Sequence, residues 1–414
     1  MAAAWGLSAC QPQRPAGVQA AAAAAPSFDK TLADYNAAIA SGEATTQGRM
    51  QSALVPLELV GLYAERARLT GSYDDYARAE ALIARLEAQF PPSDALCLAK
   101  ARLLFSLHRL RPAAQALDRC PRLAGEPDAL GLRGDIAFQS GRYEEAGAIY
   151  RALVNQVGTP QTYVQLALYS AKTGSPGEAL AFMEAAEKRS FGAAPVRRSW
   201  FALQRGLIEL ERGRLDEARA LFALADERLP GYWLNEEHLA EVATLNGDAA
   251  AAKPVYEAVV RRTGAPEYLD ALGSIEAEAG RALTARQLFA RAEAAYAQRA
   301  QRFPEAIAGH ALDHYLSAAP QPATALSLAE ANYRNRPNGE AAVGLAKAQL
   351  LNHKPQAAAR LIEQHLGRGW DTAEAYWILS LAADAAGDGR RARTAALEAT
   401  RRNPRSATQY AFEF

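Results

Sequence analysis

Glycines that recur at a constant spacing constrain this chain more than any other feature of its sequence. Gly213, Gly247 and Gly280 are 34 and 33 residues apart, and Gly141 and Gly174 are again 33 apart. Such retention of phase is typical of a repeat protein, in which each unit packs only on its neighbours. We expect a helix to end at each of these positions, because glycine readily takes the left-handed conformation that caps helices at their carboxyl ends.

The clearest unit runs from Ser199 to Pro230. Small residues, an aromatic residue and a final proline stand at regular places in it: Gly206, Gly213, Ala218, Phe222, Ala225 and Pro230. The pattern returns in four stretches that begin at Pro127, Trp233, Pro266 and Ala373. Small residues let the two helices of a hairpin approach closely, and the aromatic ring fills the gap to the next hairpin. Weaker units fill the rest, with predicted turns at Gly71-Ser72, His108-Arg109, Gly174-Ser175, Ala318 to Pro322 and Asn352 to Pro355.

Composition agrees with an all-helical chain. Alanine and leucine dominate and β-branched residues are few, which favours helix. The 46 Lys and Arg residues balance 46 Asp and Glu residues, so no net positive field favours nucleic acid or an anionic membrane as a partner. No apolar run reaches the roughly 18–20 residues of a membrane span. No phosphate-binding loop, dinucleotide fingerprint or nucleophile motif occurs. We therefore expect no enzyme activity and no cofactor.

The repeated pattern resembles the tetratricopeptide repeat family over roughly Leu54 to Pro404. In that family, small residues take the eighth, twentieth and twenty-seventh positions of a unit of about 34 residues, with an aromatic residue at the twenty-fourth. The resemblance implies an all-α, right-handed superhelical solenoid of about ten antiparallel helix pairs. It implies a concave groove, lined mainly by the first helix of each pair, that binds a protein or peptide partner. It implies no chemistry by itself.

The chain divides into four predicted segments. They are a signal-peptide remnant with a flexible tether (1–27), an N-terminal capping region with a helix at 31–40 (28–53), the repeat array (54–404) and a C-terminal tail (405–414). The tail is too short for another helix pair. Either it covers the last apolar face, or it presents an aromatic peptide to a partner.

The resemblance also implies which side chains line the groove, through the family's second, fifth, ninth and twelfth positions. In three well-phased units these are Asp128, Gly131, Asp135 and Phe138; Trp200, Leu203, Leu207 and Leu210; and Glu374, Trp377, Leu381 and Asp384. A mixed apolar and acidic groove would suit a partner with hydrophobic anchors and some basic residues. The alternative is that these side chains pack against adjacent helices.

A second candidate site is the sequence His310-x-x-Asp313-His314 on a predicted first helix. Spacings of three and four residues place these side chains on one helix face, and imidazole and carboxylate groups bind divalent metals. Three interpretations follow: a metal- or small-molecule-dependent activity, contact with a ligand in the groove, or an interhelical hydrogen-bonded pair.

Cys97 and Cys120 fall in one predicted hairpin. Their mean position, 108.5, coincides with the turn at His108-Arg109. Residues equidistant from the turn of an antiparallel hairpin lie side by side, and a disulfide forms when the Cα atoms approach to about 4.4–6.8 Å. The alternative is two buried free thiols that act as small hydrophobic side chains.

The first residues indicate where the protein acts. Leu7-Ser8-Ala9-Cys10 is similar to the bacterial lipobox, which implies lipidation of Cys10, with Met1 inside a longer signal peptide. The Pro-, Gln- and Ala-rich stretch from Gln11 to Pro26 reads as a flexible tether. We therefore expect a bacterial periplasmic lipoprotein anchored in the outer membrane, which meets the membrane only through its lipid. The alternative is a cytosolic adaptor in which the motif is coincidental.

Overall fold

The computed structural model describes residues 27–414, and over this range the chain is helical apart from turns and one isolated bridge between Thr173 and Asp371. The helices are α1 (Phe28–Thr45), α2 (Leu54–Thr70), α3 (Tyr73–Gln89), α4 (Asp94–Ser106), α5 (Leu110–Asp118), α6 (Pro127–Gln139), α7 (Tyr143–Gln156), α8 (Pro160–Lys172), α9 (Pro176–Arg189), α10 (Pro195–Glu211), α11 (Leu215–Arg228), α12 (Trp233–Leu245), α13 (Ala249–Thr263), α14 (Pro266–Glu278), α15 (Ala282–Ala300), α16 (Pro304–Asp313), α17 (Pro322–Asn335), α18 (Gly339–Leu351), α19 (Pro355–Gly367), α20 (Ala373–Ala385), α21 (Gly389–Arg402) and α22 (Ser406–Gln409). A 3-10 turn (Pro121–Gly125) follows α5, and a π-helical turn (His314–Ala318) extends α16.

Helices α2 to α21 form ten consecutive pairs, and each pair packs on the next. This confirms the predicted all-α solenoid of about ten helix pairs. Helix α1 packs on α2 and is longer than the helix predicted at 31–40. It begins early because the Ser27 hydroxyl accepts a hydrogen bond from the backbone N–H of Lys30 at 3.2 Å, which caps the helix.

Nine of the ten turns within pairs share one backbone conformation. Seven contain a glycine with φ between 69° and 84°: Gly71, Gly141, Gly174, Gly213, Gly247, Gly280 and Gly387. This confirms the predicted glycine caps. His108 and His353 take the same conformation in two other pairs, with φ values of 59° and 56°. The remaining turn, between α16 and α17, follows the π-helical segment.

Close contact explains the small residue in the middle of each first helix. A Cβ atom on Gly134 would lie 2.6 Å from Cε1 of Tyr150, and one on Gly206 would overlap the ring of Phe222. The helices of these pairs are therefore held at a distance that only glycine allows at this position.

Later pairs stack on earlier ones, so the solenoid winds around and contacts itself. We call α2–α11 the first winding and α12–α21 the second winding. Three successive turns of the first winding meet three successive linkers that lie 192 to 199 residues further along. The hydrogen bonds run from Asn338 Nδ2 to Gln139 Oε1 (2.5 Å), from the Asp371 N–H to the Lys172 carbonyl (2.8 Å) and from Asn403 Nδ2 to the Glu211 carbonyl (3.1 Å).

Apolar side chains strengthen this contact between windings. The indole N–H of Trp233 donates to the Leu69 carbonyl at 2.8 Å, and its side chain is 8 % exposed. Phe138 packs on Trp370 with ring centroids 5.9 Å apart. One hydrophobic core contains residues of both α2–α4 and α12–α16. The two windings are therefore parts of one packed body.

Candidate functional site

The first helices of the pairs form the inner layer of the solenoid. Helix α18 contacts α20 and α2 contacts α4, whereas successive second helices make no comparable contact within the described chain. The inner layer of a curved stack is the more crowded one, so we call the surface of these first helices the concave face. The predicted groove residues all lie on first helices.

In α6, the predicted groove carboxylate Asp135 is occupied by bonds within the protein. It accepts hydrogen bonds from the Tyr150 hydroxyl at 2.9 Å and from the Gln165 amide at 3.0 Å. Burial raises the pKa of the Asp135 carboxyl to about 7, against the lowering effect of these two hydrogen bonds. Gly131 lies under the same Gln165 side chain. Asp135 thus positions α8 against α6 and offers a partner little free hydrogen-bonding capacity.

The other groove candidates of α6 have different surroundings. Phe138 is wedged between Tyr143, Tyr169 and Trp370, so it serves the contact between windings. Asp128 is exposed and pairs with Arg102 at 2.8 Å. Of the predicted positions in this helix, only Asp128 lies open to solvent.

In α10, the prediction that the leucines line a groove is wrong. Leu203, Leu207 and Leu210 are 2, 7 and 5 % exposed and belong to one apolar core. They are buried because α11 of the same pair and α12 of the following pair pack over this face of α10. Trp200 is half-buried and lies edge-on to Phe201, so part of its ring remains accessible.

In α20, the predicted residues do lie together on the concave face. Glu374 accepts an ion-paired hydrogen bond from Lys347 of α18 at 2.5 Å. Trp377 and Leu381 are half-buried, and Asp384 is exposed. The indole N–H of Trp377 is buried and meets no hydrogen-bond partner among the described residues. This part of the surface combines an apolar ring, an unsatisfied donor and an ion pair.

The histidines of the second candidate site are each paired with a carboxylate of α14. His314 Nδ1 lies 2.8 Å from Asp270, and the His314 side chain is fully buried. His310 Nδ1 lies 3.3 Å from Glu267. Asp313 does not join them in any group of three ligand atoms within residues 27–414. The arrangement matches the interhelical pair that the sequence left open, and His314 has no surface for a ligand.

The C-terminal tail lies on the concave face. The hydroxyl of Tyr410 donates to the Glu211 carbonyl at 3.3 Å. Phe412 is half-buried and packs against the cores formed by α16, α18 and α20. Its ring stacks on Phe414 with centroids 5.8 Å apart, and Phe414 is 46 % exposed.

Cys97 and Cys120 are joined by a disulfide in the structure, with Cα atoms 6.3 Å apart. Cys97 stands near the start of α4 and Cys120 follows α5, so the bond ties the two open ends of this helix pair. Both side chains are 6 % exposed. The bond lies far from α20 and has no part in the concave surface around Trp377.

The predicted lipidation site, Cys10, and the tether after it lie outside the described residues. Between residues 27 and 414, none of the helices is both long and apolar enough to cross a membrane.

The tetratricopeptide repeat family matches residues 127–155, which cover α6 and nearly all of α7. This pair shares its glycine-to-aromatic contact with α10–α11 and α14–α15, and its left-handed turn glycine with six other pairs. Residues 127–155 are thus similar to one tetratricopeptide repeat, and the other helix pairs share its helix–turn–helix architecture. No curated protein matches its sequence.

Two solved structures are similar to this chain over most of its length. Yeast Tom70 is 14 % identical, with a TM-score of 0.43, over 88 % of this chain and 89 % of Tom70. The human IFIT1 dimer with PPP-AAAA is 13 % identical, with a TM-score of 0.37, over 89 % of this chain and 94 % of that one.

Sequence reasoning missed one part of the concave face. Glu237 and Glu241 take the fifth and ninth positions of the unit that begins at Trp233, and they lie beside His238. The sequence could have identified them, because the same repeat positions gave the groove candidates in three other units. The side chains of Glu237 and His238 are 4 and 8 % exposed, a burial that spacing alone does not reveal.

Proposed function

We propose that this protein is a non-enzymatic scaffold that binds an extended segment of a protein partner on the concave face around α16, α18 and α20. Tetratricopeptide-repeat proteins commonly bind protein partners, which supports the general class. The particular surface is supported by the accessible aromatic and ionic groups of α18 and α20.

One observation carries the choice of surface. The chain's own residues 410–412 already lie there as a non-helical segment, with the Phe412 ring half-buried among the first helices. An extended aromatic segment therefore fits this surface sterically. A partner that binds here would replace the tail, and its binding free energy would be reduced by the cost of displacing the tail.

The chemistry of the surface describes the partner. Trp377 and Leu381 offer apolar area to an aromatic or aliphatic anchor, and such anchors carry most of the binding energy at interfaces. Asp384 and Glu374 favour basic residues beside the anchor. The expected partner is thus a peptide segment with an aromatic anchor and nearby Lys or Arg.

A labelled peptide with the sequence of residues 406–414, which has aromatic side chains and no Lys or Arg, tests the apolar part of this surface. It should bind saturably to a chain that lacks residues 410–414, and more weakly to the full chain. The variant Trp377→Ala should weaken binding by about tenfold, since loss of one anchor costs about 1–2 kcal/mol. Phe191→Ala is the matched control, because Phe191 is 101 % exposed in the linker before α10. Absence of saturable binding, or equal effects of the two substitutions, would contradict the proposal.

We further propose that the scaffold is exported and held in the bacterial envelope through a lipid on Cys10. The lipobox-like sequence before Cys10 and the disulfide between Cys97 and Cys120 support this, because disulfides persist in oxidising compartments. Expression in a bacterium with an alkyne-tagged palmitate should label the protein, and Cys10→Ser should abolish the label and release the protein from membranes. An unlabelled, soluble wild-type protein would instead favour the cytosolic adaptor.

A further inference from the structure

We propose that Glu237, His238 and Glu241 of α12 form a binding site for one divalent transition-metal ion on the concave face. The site goes beyond the proposed scaffold function, because it lies on another helix from the peptide surface and uses different side chains.

The side chains of Glu237, His238 and Glu241 lie on one side of α12, because they are spaced one, three and four residues apart. Their ligand atoms lie within 4.8 Å of one another. His238 Nδ1 is 2.9 Å from Glu241 and 3.3 Å from Glu237. Ligand atoms bound at about 2.0–2.2 Å to a common ion are separated by similar distances. An imidazole with two carboxylates suits Zn²⁺ and its neighbours in the transition series.

Within residues 27–414, the carboxylates of Glu237 and Glu241 lack the Lys or Arg partners that usually neutralise buried carboxylates. Neither Glu237 nor Glu241 forms an ion pair with Lys or Arg anywhere in residues 27–414. Glu276, whose side chain is also 4 % exposed, pairs with both Lys253 and Arg281. Two buried carboxylates that share a single imidazole are electrostatically costly. A bound divalent cation would offset that cost.

A second, independent observation is the hydroxyl group of Tyr256 on α13. This side chain is fully buried, and its oxygen makes no hydrogen bond of standard geometry within the described chain. Burial, and then the charges of Glu237 and Glu241, raise the pKa of Tyr256, while the neighbouring Thr244 side chain lowers it, so the hydroxyl lies within electrostatic range of both carboxylates. An ion with three protein ligands commonly keeps a water in the fourth position. Such a water would give the Tyr256 hydroxyl its partner and would add a second helix to the site.

The imidazole is also held in place. Phe222 stacks on the His238 ring with centroids 5.0 Å apart and an interplanar angle of 19°. This contact fixes the ring plane with Nδ1 toward the carboxylates, as neighbouring side chains do for metal-binding histidines.

Calorimetric titration of the full, chelator-treated chain with ZnCl₂ tests the site. We expect one Zn²⁺ per chain, and affinity about 100-fold lower in Glu241→Gln and in His238→Gln, since each removes a ligand. Glu236→Gln is the matched control: it is the adjacent carboxylate of the same helix, it faces Arg262, and its substitution should leave the affinity unchanged.

Two further measurements make the result decisive. Co²⁺ in place of Zn²⁺ should give a visible absorption band with the wild type and with Glu236→Gln, and not with Glu241→Gln. If either Gln variant loses its helical circular dichroism, Glu241→Asp keeps the charge and should weaken binding by about tenfold. The proposal is overturned if the folded wild type binds no ion, or if ligand and control variants bind equally well.

Discussion

Turns of the two windings share a backbone conformation but differ in what surrounds them. Gly141 and Gly280 end the first helices of their pairs with φ values of 72° and 75°. A Cβ atom on Gly141 would overlap the carbonyl oxygen of Pro337, whereas one on Gly280 would meet nothing within 4 Å. Glycine is needed for conformation alone at Gly280, and for conformation and space at Gly141.

The contrast extends along both windings. Gly174 and Gly213 of the first winding face Asp371 and Asn403, while Gly247 and Gly387 of the second winding have no neighbour within 4 Å of an added Cβ. The repeat pattern therefore determines the backbone conformation of the turn. At some turns, such as those of Gly174 and Gly213, the contact between windings also leaves no space for a side chain. Substitutions at equivalent positions can separate the two effects.

The largest difference is expected between Gly141→Ala and Gly280→Ala. Both place alanine in the left-handed region, at a cost of about 1 kcal/mol. Only Gly141→Ala also forces the Pro337 carbonyl away, and overpacking adds about 1–3 kcal/mol. We expect the thermal midpoint to fall several-fold further for Gly141→Ala. Equal shifts in the two variants would show that the windings do not touch there.

The next effect concerns the disulfide, which the structure places in the first winding. Cys97 and Cys120 are separated by 23 residues, and opening such a loop costs about 3 kcal/mol in the chain-entropy model. Reductant should therefore lower the unfolding midpoint of the wild type. The double variant Cys97→Ser with Cys120→Ser should have the unfolding midpoint of the reduced wild type, and reductant should not change that midpoint. A wild type that is indifferent to reductant would contradict the bond.

A pH effect should follow from a contact between windings at His365. Its Nδ1 lies 3.3 Å from the Tyr143 hydroxyl of the first winding, and its Nε2 lies 2.8 Å from the Tyr333 hydroxyl. Burial, and then the charge of Arg368, lower the pKa of His365 to about 4. The unfolded chain binds a proton at about pH 6.5, so stability is full above that pH and is lost as pH falls towards 4.

At pH 4.5 the loss should reach about 2.5 kcal/mol, at about 1.4 kcal/mol for each pKa unit. Thermal midpoints measured from pH 7 to 4.5 should fall less in His365→Gln than in His353→Gln, because His353 is exposed. Identical pH profiles for the two variants would exclude His365 as the cause.

The smallest effect is expected at the two histidines in left-handed turns. His353→Gly should stabilise the protein by about 0.5–1 kcal/mol, because it relieves the strain of the left-handed backbone without loss of a buried contact. His108 is half-buried, and its Nε2 lies 3.4 Å from Arg336 of the second winding. His108→Gly should therefore gain nothing or lose stability in chemical denaturation. A gain at both positions would contradict the role of His108 between windings.

Sequence patterns predicted the local structure well. Turn glycines, the ten pairs and the hairpin that brings Cys97 beside Cys120 all follow from spacing, because a repeat fixes contacts within a pair and with its neighbours. The turns at His108 and His353 were located, but their left-handed backbone was not expected, since histidine has no special freedom there.

Contacts between windings could not be predicted in the same way. Their position depends on small rotations summed over about six pairs, and no single unit encodes that sum. Phe138 was assigned to the groove because its position in the repeat predicts a side chain that its own unit does not cover. In the structure Trp370 of the other winding packs on it. Leu203 was assigned likewise, and α11 and α12 bury it. Trp377 was assigned by the same frame, and within residues 27–414 no later winding covers it.

The central claim is that the two windings pack against each other. A spin-label distance measurement between Glu178 and Arg368 tests it most directly, in a Cys10→Ser background with one cysteine introduced at each position. Both residues are exposed and stand next to the hydrogen bond from Asp371 to Lys172. We predict one narrow distribution at short distance. A broad distribution centred at long distance would show an open solenoid whose windings are apart, and would contradict the account.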